Sequence, residues 1–356
     1  MLYGIALDLG YGYTKGVNQD NDRFITPSLV GSGRKMYLGE IFGSGDDNND
    51  LYVRLESGGR SAEYFVGDLA RRESRDASQA FDSNKVFHPH TQVLLATAAA
   101  RLMPKDQRKV HLVSGLPLEE YYRQKDAFQQ HLENFQAKVT FIKNDKDVYS
   151  KEIKFDEVTI FPQGAGAVYH AFKKHRGYFQ KGYLIGLVDV GTKTTDVIVF
   201  EVADRFIIRH QLSATFEIGT STLYQEILSK SSEMVGSTLE SNKIPIIMEN
   251  MKAFYHRGQD YDLSGIVEQA RNNIALSIKD KLTALWGSDI DCFRVVFLGG
   301  GGSGELNTGL RGIHPTTVLL EDCQFANAYG FMVVHSMVTK RLITPTERDS
   351  VISKAI

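Results

Sequence analysis

The chain is patterned by short apolar runs that stop at an acid or at a glycine turn. Ile5-Ala6-Leu7 stops at Asp8 and continues as Leu9-Gly10-Tyr11-Gly12-Tyr13-Thr14-Lys15-Gly16-Val17. Ile185-Gly186-Leu187-Val188 stops at Asp189 and runs through Gly191-Thr192-Lys193-Thr194-Thr195 into Val197–Phe200. Each reads as strand, tight polar turn, strand. Further strands are expected at Leu51–Val53, Tyr64–Val66, Val110–Val113, Phe206–Gln211 and Arg294–Leu298, with Val139–Ile142 and Ile153–Phe155 bracketing a charged hairpin, Lys143–Lys151. Helical patterns fall at Thr91–Leu102, stopped by Pro104, at Glu119 to about Phe135, and in the small-residue run from Gly164 to Tyr169. Glu217–Thr222 opens a stretch expected to stay mostly helical to Trp286, with an apolar stripe of Ile266, Ala270, Ile274, Ile278 and Leu282. A last helix spans Cys323 to about Thr339. Strand and helix alternate, which argues α/β.

The two acid-ended hairpins are an internal repeat. Laying Asp8 on Asp189, an offset of 189 − 8 = 181, also lays Gly10 on Gly191, Thr14 on Thr195 and Val17 on Ile198. An acid at a strand end, followed by glycines and hydroxyls in a turn, sets backbone N–H groups around a concavity beside a carboxylate. That concavity suits a phosphate with its metal ion. Two copies predict two related α/β domains facing one nucleotide. A third glycine element, Gly299-Gly300-Gly301-Gly302, follows the Arg294–Leu298 strand; it permits backbone to lie against a flat ligand, and Gly304-Glu305-Leu306 is expected to start a helix there.

Composition changes this picture little. The 356 residues, 42% hydrophobic and 24% charged, suffice for two cores. A net charge of −2 gives no global pull toward nucleic acid or anionic lipid. Cys292 and Cys323 lack zinc-ligand spacing and read as reduced core thiols. His88 and His90, flanking Pro89, read as loop residues. No run is long and apolar enough to span a bilayer, and Met1–Leu7 has no basic segment before it, so a cytoplasmic protein is expected. The polar, glycine-rich segment to about Gly67, containing Gly43–Asp50, reads as a small strand-built insertion with an exposed loop and is expected to be the most mobile part.

Five segments together resemble the ordered motifs of the actin superfamily: phosphate 1 (Asp8–Gly16), connect 1 (Phe161–Phe172), phosphate 2 (Leu187–Phe200), adenosine (Phe297–Glu305) and connect 2 (Asp322–Phe331). Length and the Gly115-Leu116-Pro117-Leu118 and Gln324–Asn327 segments are most similar to the prokaryotic actin-like ATPases of the ParM/StbA plasmid-segregation type and their archaeal relatives. The resemblance implies a duplicated, ribonuclease H-like two-domain α/β fold with a nucleotide cleft between domains. Domain I is expected over 1–163 plus 331–356, with a small insertion at about 31–67, and domain II over 164–330, with a helical insertion at about 223–287.

It also implies roles. Asp8 and Asp189 hold Mg²⁺, directly or through water, and act with Gln163, which orients the attacking water without being a base. Gly10, Tyr11, Gly12, Tyr13, Thr14, Gly191, Thr192, Thr194 and Gly219 line the phosphates, Lys15 supplies a point charge, and Gly299, Gly300, Gly301 and Gly302 lie against the adenosine. Lys193 either reaches the phosphates or points to solvent. The nucleotide is ATP, with GTP left open. The implied function is a polymerising ATPase whose partners are copies of itself and a separate DNA-bound adaptor, with no direct nucleic-acid or membrane contact. A small-molecule kinase or an ATP-gated binding module stays open as the alternative. Seventy-kilodalton chaperones are disfavoured, since little chain follows the last helix.

Overall fold

The computed structural model describes residues 2–34, 50–78, 87–104, 106, 109–143 and 146–340. The mobile-loop expectation at 43–49 and the tail from Pro345 lie outside the described residues. The chain divides into two compact units, Met1–His170 with Phe325–Ile356, and Ala171–Gln324.

The first unit is built on a five-stranded sheet. Its order is β3 (Arg23–Pro27), β2 (Tyr13–Asn18), β1 (Tyr3–Leu9), β7 (Val110–Leu116), β10 (Glu157–Pro162). The first three strands are antiparallel, while β7 and β10 run parallel to β1. All seven residues of β1 are buried because helices cover the central strands. Two of these helices are α2 (Pro89–Leu102), whose Ala96, Ala98 and Ala99 are fully buried, and α9 (Ala326–Lys340). Helix α3 (Leu118–Glu133) links β7 to β8 (Gln136–Lys143), and α4 (Ala165–Lys174) follows β10. His88 is not a plain loop residue: its side chain accepts from the His90 N–H as the cap of α2, and Pro89 takes the first helical position, where no N–H is needed.

A second sheet in this unit corrects the expected insertion. Its order is β4 (Val30–Ser32), β6 (Arg60–Gly67), β5 (Asp50–Ser57), β8 (Gln136–Lys143), β9 (Lys146–Lys154). The described strands of the 31–67 segment therefore share a sheet with β8 and β9, and the charged hairpin expected between Val139–Ile142 and Ile153–Phe155 is the β8–β9 pair, with β9 reaching back to Lys146. Its alternation is hidden because β9 is an edge strand whose residues are nearly all exposed. Short helix α1 (Asp68–Glu73) follows β6.

The second unit repeats the first sheet's plan. The order β13 (Phe206–Ile208), β12 (Thr195–Val202), β11 (Leu184–Val190), β17 (Phe293–Gly299), β18 (Thr317–Leu319) matches β3-β2-β1-β7-β10 strand for strand, with β14 (Ala214–Phe216) also on β12. The first hairpin pair is antiparallel and the next neighbour parallel in both. The core packs α5 (Thr220–Val235), α6 (Ile244–Glu249), α7 (Ser264–Trp286) and α8 (Gly301–Leu310) on this sheet.

The stretch to Trp286 is mostly helical as expected, with a β-hairpin, β15 (Phe254–His256) and β16 (Gln259–Tyr261), set into it. Two expectations fail here. The buried stripe of α7 starts at Val267 rather than Ile266, then runs through Ala270, Ile274, Ile278 and Leu282. Cys292 is exposed and Cys323 half-buried, so neither is a core thiol.

Candidate functional site

The turn of the first hairpin sits at the end of β1, where Asp8 is 3% exposed. Lys15 lies directly across the ladder from Asp8, and its Nζ reaches Asp8 Oδ2 at 3.0 Å. Gln163, which follows β10, donates from Nε2 to Asp8 Oδ1 at 2.8 Å. Both carboxylate oxygens are thus held, and the Gln163 amide keeps its Oε1 as an acceptor. Gln163 is placed from two sides. Its N–H donates to the Leu116 carbonyl, and the next residue, Gly164 (φ 76), donates to Asn327 Oδ1 on α9.

The expected set in the first turn divides by exposure. Gly10 and Tyr11 are half-buried, Gly12 is buried and Tyr13 exposed. The Thr14 hydroxyl is fully buried and bonded to Ser28 Oγ at 3.0 Å, so it braces the turn. Ser28 itself was missing from the expected set. It lies 20 residues after Asp8, outside any local motif.

In the second hairpin, Asp189 ends β11 at 8% exposure. Gly191, Thr192, Lys193 and Thr194 form its half-buried turn, closed by Gly191 N–H to Thr194 O at 2.8 Å. Helix α5 begins against this turn. The Thr220 N–H donates to Gly191 O at 3.1 Å and the Ser221 N–H to Thr192 O at 2.8 Å. A Cβ at Gly219 would meet Thr192 O at 2.4 Å, so the glycine lets the helix touch the turn. Thr195, the counterpart of Thr14, is likewise fully buried and donates to Ile218 O at 2.7 Å.

A residue absent from the expected set is Asp196. It faces Asp189 across the antiparallel pair and accepts from Thr215 Oγ1 at 2.6 Å. The 181-residue offset lays Asp196 on Lys15 (15 + 181 = 196), a signal present in the repeat itself. Like charges directly opposite on a ladder are unfavourable.

The glycine run after β17 behaves differently from its reading as an open slot. Helix α8 starts at Gly301 rather than Gly304. Gly300 has φ 78, and a Cβ there would lie 2.2 Å from Asp189 Oδ1, so the run brings the helix start against the acid. Gly302 is likewise packed, against Val190 and Thr220, and Gly299 ends the strand. Gly301 is half-buried, beside the Gln324 side chain. The N–H groups of Gly301 and Gly302 have no acceptor inside the helix, as at any helix start, and such amides suit an anion.

Comparison with known proteins agrees with this duplicated arrangement. Residues 6–166 match the family of actin-like protein N-terminal domains, and residues 187–312 match the C-terminal domain family of archaeal MreB-like actin homologues. The chain is 34% identical to the protein of a 15-stranded ParM filament from Clostridium botulinum, covering 94% of this chain and 99% of that one with a TM-score of 0.85. It is 26% identical over 338 residues to an archaeal actin homolog of Thermoplasma acidophilum, covering 92% of this chain and 97% of the relative. An archaeal actin homolog solved in complex with ADP shares the fold, with a TM-score of 0.78, 20% identity, and coverage of 94% of this chain and all of that one.

Proposed function

This chain belongs to the ParM-like actin superfamily, and from that premise we propose that it binds and hydrolyses ATP and polymerises into cytoplasmic filaments timed by hydrolysis. The observation that carries the reading is the duplicated hairpin with Gln163 bonded to Asp8. Turn amides and Lys15 hold the phosphates. Gln163 aims a water through Oε1, contributing position rather than proton affinity, which suits slow turnover. The start of α8 lies along the adenosine. Lys193 keeps both of its readings.

The residues fit a magnesium ion held largely through water and phosphate. Among the described residues no cluster of three or more His, Cys, Asp or Glu side chains forms a cage. Asp8 is already occupied by Lys15 and Gln163, while Asp189 and Asp196 face each other and favour a hard cation. When bound, the metal neutralises phosphate charge. Asp189 with Asp196 would hold it.

Assembly is supported by the filament of the Clostridium botulinum relative. The proposed cargo is plasmid DNA, linked through a separate adaptor protein. No helix among the described residues is long and apolar enough to cross a membrane.

The test is light scattering at micromolar protein with Mg²⁺ and ATP, GTP, ADP or no nucleotide, paired with calorimetric titration. Scattering that rises with triphosphate and decays as phosphate is released is the expected result. Nucleotide binding and phosphate release with no scattering at any salt concentration would point instead to a monomeric phosphotransferase.

A further inference from the structure

Ser28 sits in the link from β3 to β4 and is 2% exposed. Its Oγ donates to the Gly10 carbonyl at 2.8 Å, and its backbone N–H donates to the Gly12 carbonyl, also at 2.8 Å. A serine hydroxyl has one proton, and Gly10 takes it. The 3.0 Å contact between Thr14 Oγ1 and Ser28 Oγ therefore runs from Thr14 to Ser28, which fixes the direction of the Ser28 hydroxyl.

The geometry of the peptide unit gives this clamp a consequence. In a planar trans peptide, the C=O of one residue and the N–H of the next point in opposite directions. Drawing the carbonyls of Gly10 and Gly12 onto Ser28 turns the N–H groups of Tyr11 and Tyr13 away from it. Amides turned to one side of a tight turn make an anion-binding concavity. In the second hairpin the held carbonyls are those of Gly191 and Thr192, and the first amides of α5 hold them. In the first hairpin the clamp is a removable side chain.

We infer that Ser28 is a positioning residue that aims the Tyr11 and Tyr13 amides at the phosphates of a bound nucleotide by clamping the Gly10 and Gly12 carbonyls. This rests on the proposed nucleotide binding. Ser28 touches no ligand, and its effect passes through the turn. A nest that holds phosphates equally before and during hydrolysis contributes uniform binding, so its loss raises KM and spares kcat.

The experiment uses the full chain as parent, Ser28→Ala, Ser28→Cys and Ser28→Thr. It measures steady-state phosphate release with Mg²⁺-ATP and the rise in Tm caused by saturating ADP. Ala and Cys should raise KM about tenfold, roughly one lost hydrogen bond, with kcat within about twofold. Their ADP-induced rise in Tm should shrink. Thr keeps the hydroxyl and should stay within about threefold of the parent KM. A fall in kcat with unchanged KM, the pattern of fewer folded molecules, would overturn the inference, as would equal KM changes for Thr and Ala. If Ser28→Ala does not fold, the Cys and Thr pair carries the same comparison. A parent that binds no ADP removes the nucleotide reading and this inference together. A parent that binds ADP, with KM unaltered in Ser28→Ala, removes the inference alone.

Discussion

The hairpins Tyr3–Asn18 and Leu184–Val202 share strand order and turn placement, yet they hold their turns and balance their charges differently. In the first, Asp8 faces Lys15, and a serine side chain clamps the turn carbonyls. In the second, Asp189 faces Asp196, and the start of α5 does the clamping. Thr14 and Thr195 alone keep one role, each fully buried and bonded to whatever braces the turn. The difference teaches that in both copies carbonyls of the turn are held from outside the hairpin, while the cross-strand residue changes sign, Lys15 in one copy and Asp196 in the other.

That division predicts unequal dependence on metal. Asp8→Asn and Asp189→Asn should each reduce turnover by more than about 100-fold, the scale of losing a charge-stabilising group. Only Asp189→Asn should also raise the Mg²⁺ concentration needed for nucleotide binding, by about tenfold or more. Calorimetric titration of ADP across a Mg²⁺ series checks this. Equal Mg²⁺ shifts in the two variants would erase the proposed division.

A steric consequence follows for the second hairpin. Gly300→Ala puts a methyl 2.2 Å from Asp189 Oδ1 on backbone of φ 78. The cost should be about 1–3 kcal/mol, from strain and overpacking together. Urea unfolding monitored by Trp286 fluorescence reports it, since Trp286 is buried in the same unit. An unchanged midpoint would mean that the helix start can move off the acid.

The clamps can be compared directly. Ser221→Ala keeps the N–H that holds Thr192 O and should change KM by less than about twofold, against the tenfold expected of Ser28→Ala. A large effect at Ser221 in the same steady-state assay would show that the second turn also relies on a side chain.

The smallest expected effect concerns pH and the first unit. Burial holds His90, His131 and His335 below the ordinary histidine value of 6.5. His335 Nδ1 also meets His111 Nδ1 at 2.9 Å. The unfolded chain takes up protons as pH falls through 6.5 while the folded chain resists them. Stability is therefore full above 6.5 and declines below it. Urea midpoints should drop between pH 7.5 and 5.5, and a flat profile would contradict the assignment.

The sheet plan was readable in the sequence because central strands buried on both faces are apolar runs, and because Asp8 and Asp189 mark the same point of a repeat. The small sheet was only half readable. Strand β9 is an exposed edge without alternation, and its pairing joins segments far apart in sequence, β5 with β8. Asp8, Lys15 and Gln163 were found through motif position, and the structure brings them within hydrogen-bond reach. Ser28 and Asp196 carry weaker signals: a clamp distant in sequence leaves no spacing rule, and Asp196 shows in the repeat only as a change of charge at the position of Lys15. The glycines after β17 were read as facing a ligand, whereas Gly300 and Gly302 answer to their own protein neighbours. Composition cannot tell these two causes apart.

On the proposed reading hydrolysis times assembly, and Gln163 would be the residue that separates binding from hydrolysis. Gln163→Ala should retain nucleotide affinity and lose about 10–100-fold in phosphate release. The most direct measurement is a paired time course of phosphate release and light scattering for parent and Gln163→Ala after addition of Mg²⁺-ATP. The account predicts equal rise of scattering in both, followed by decay in the parent and a long plateau in the variant. Prompt decay in the variant despite slowed phosphate release would contradict it.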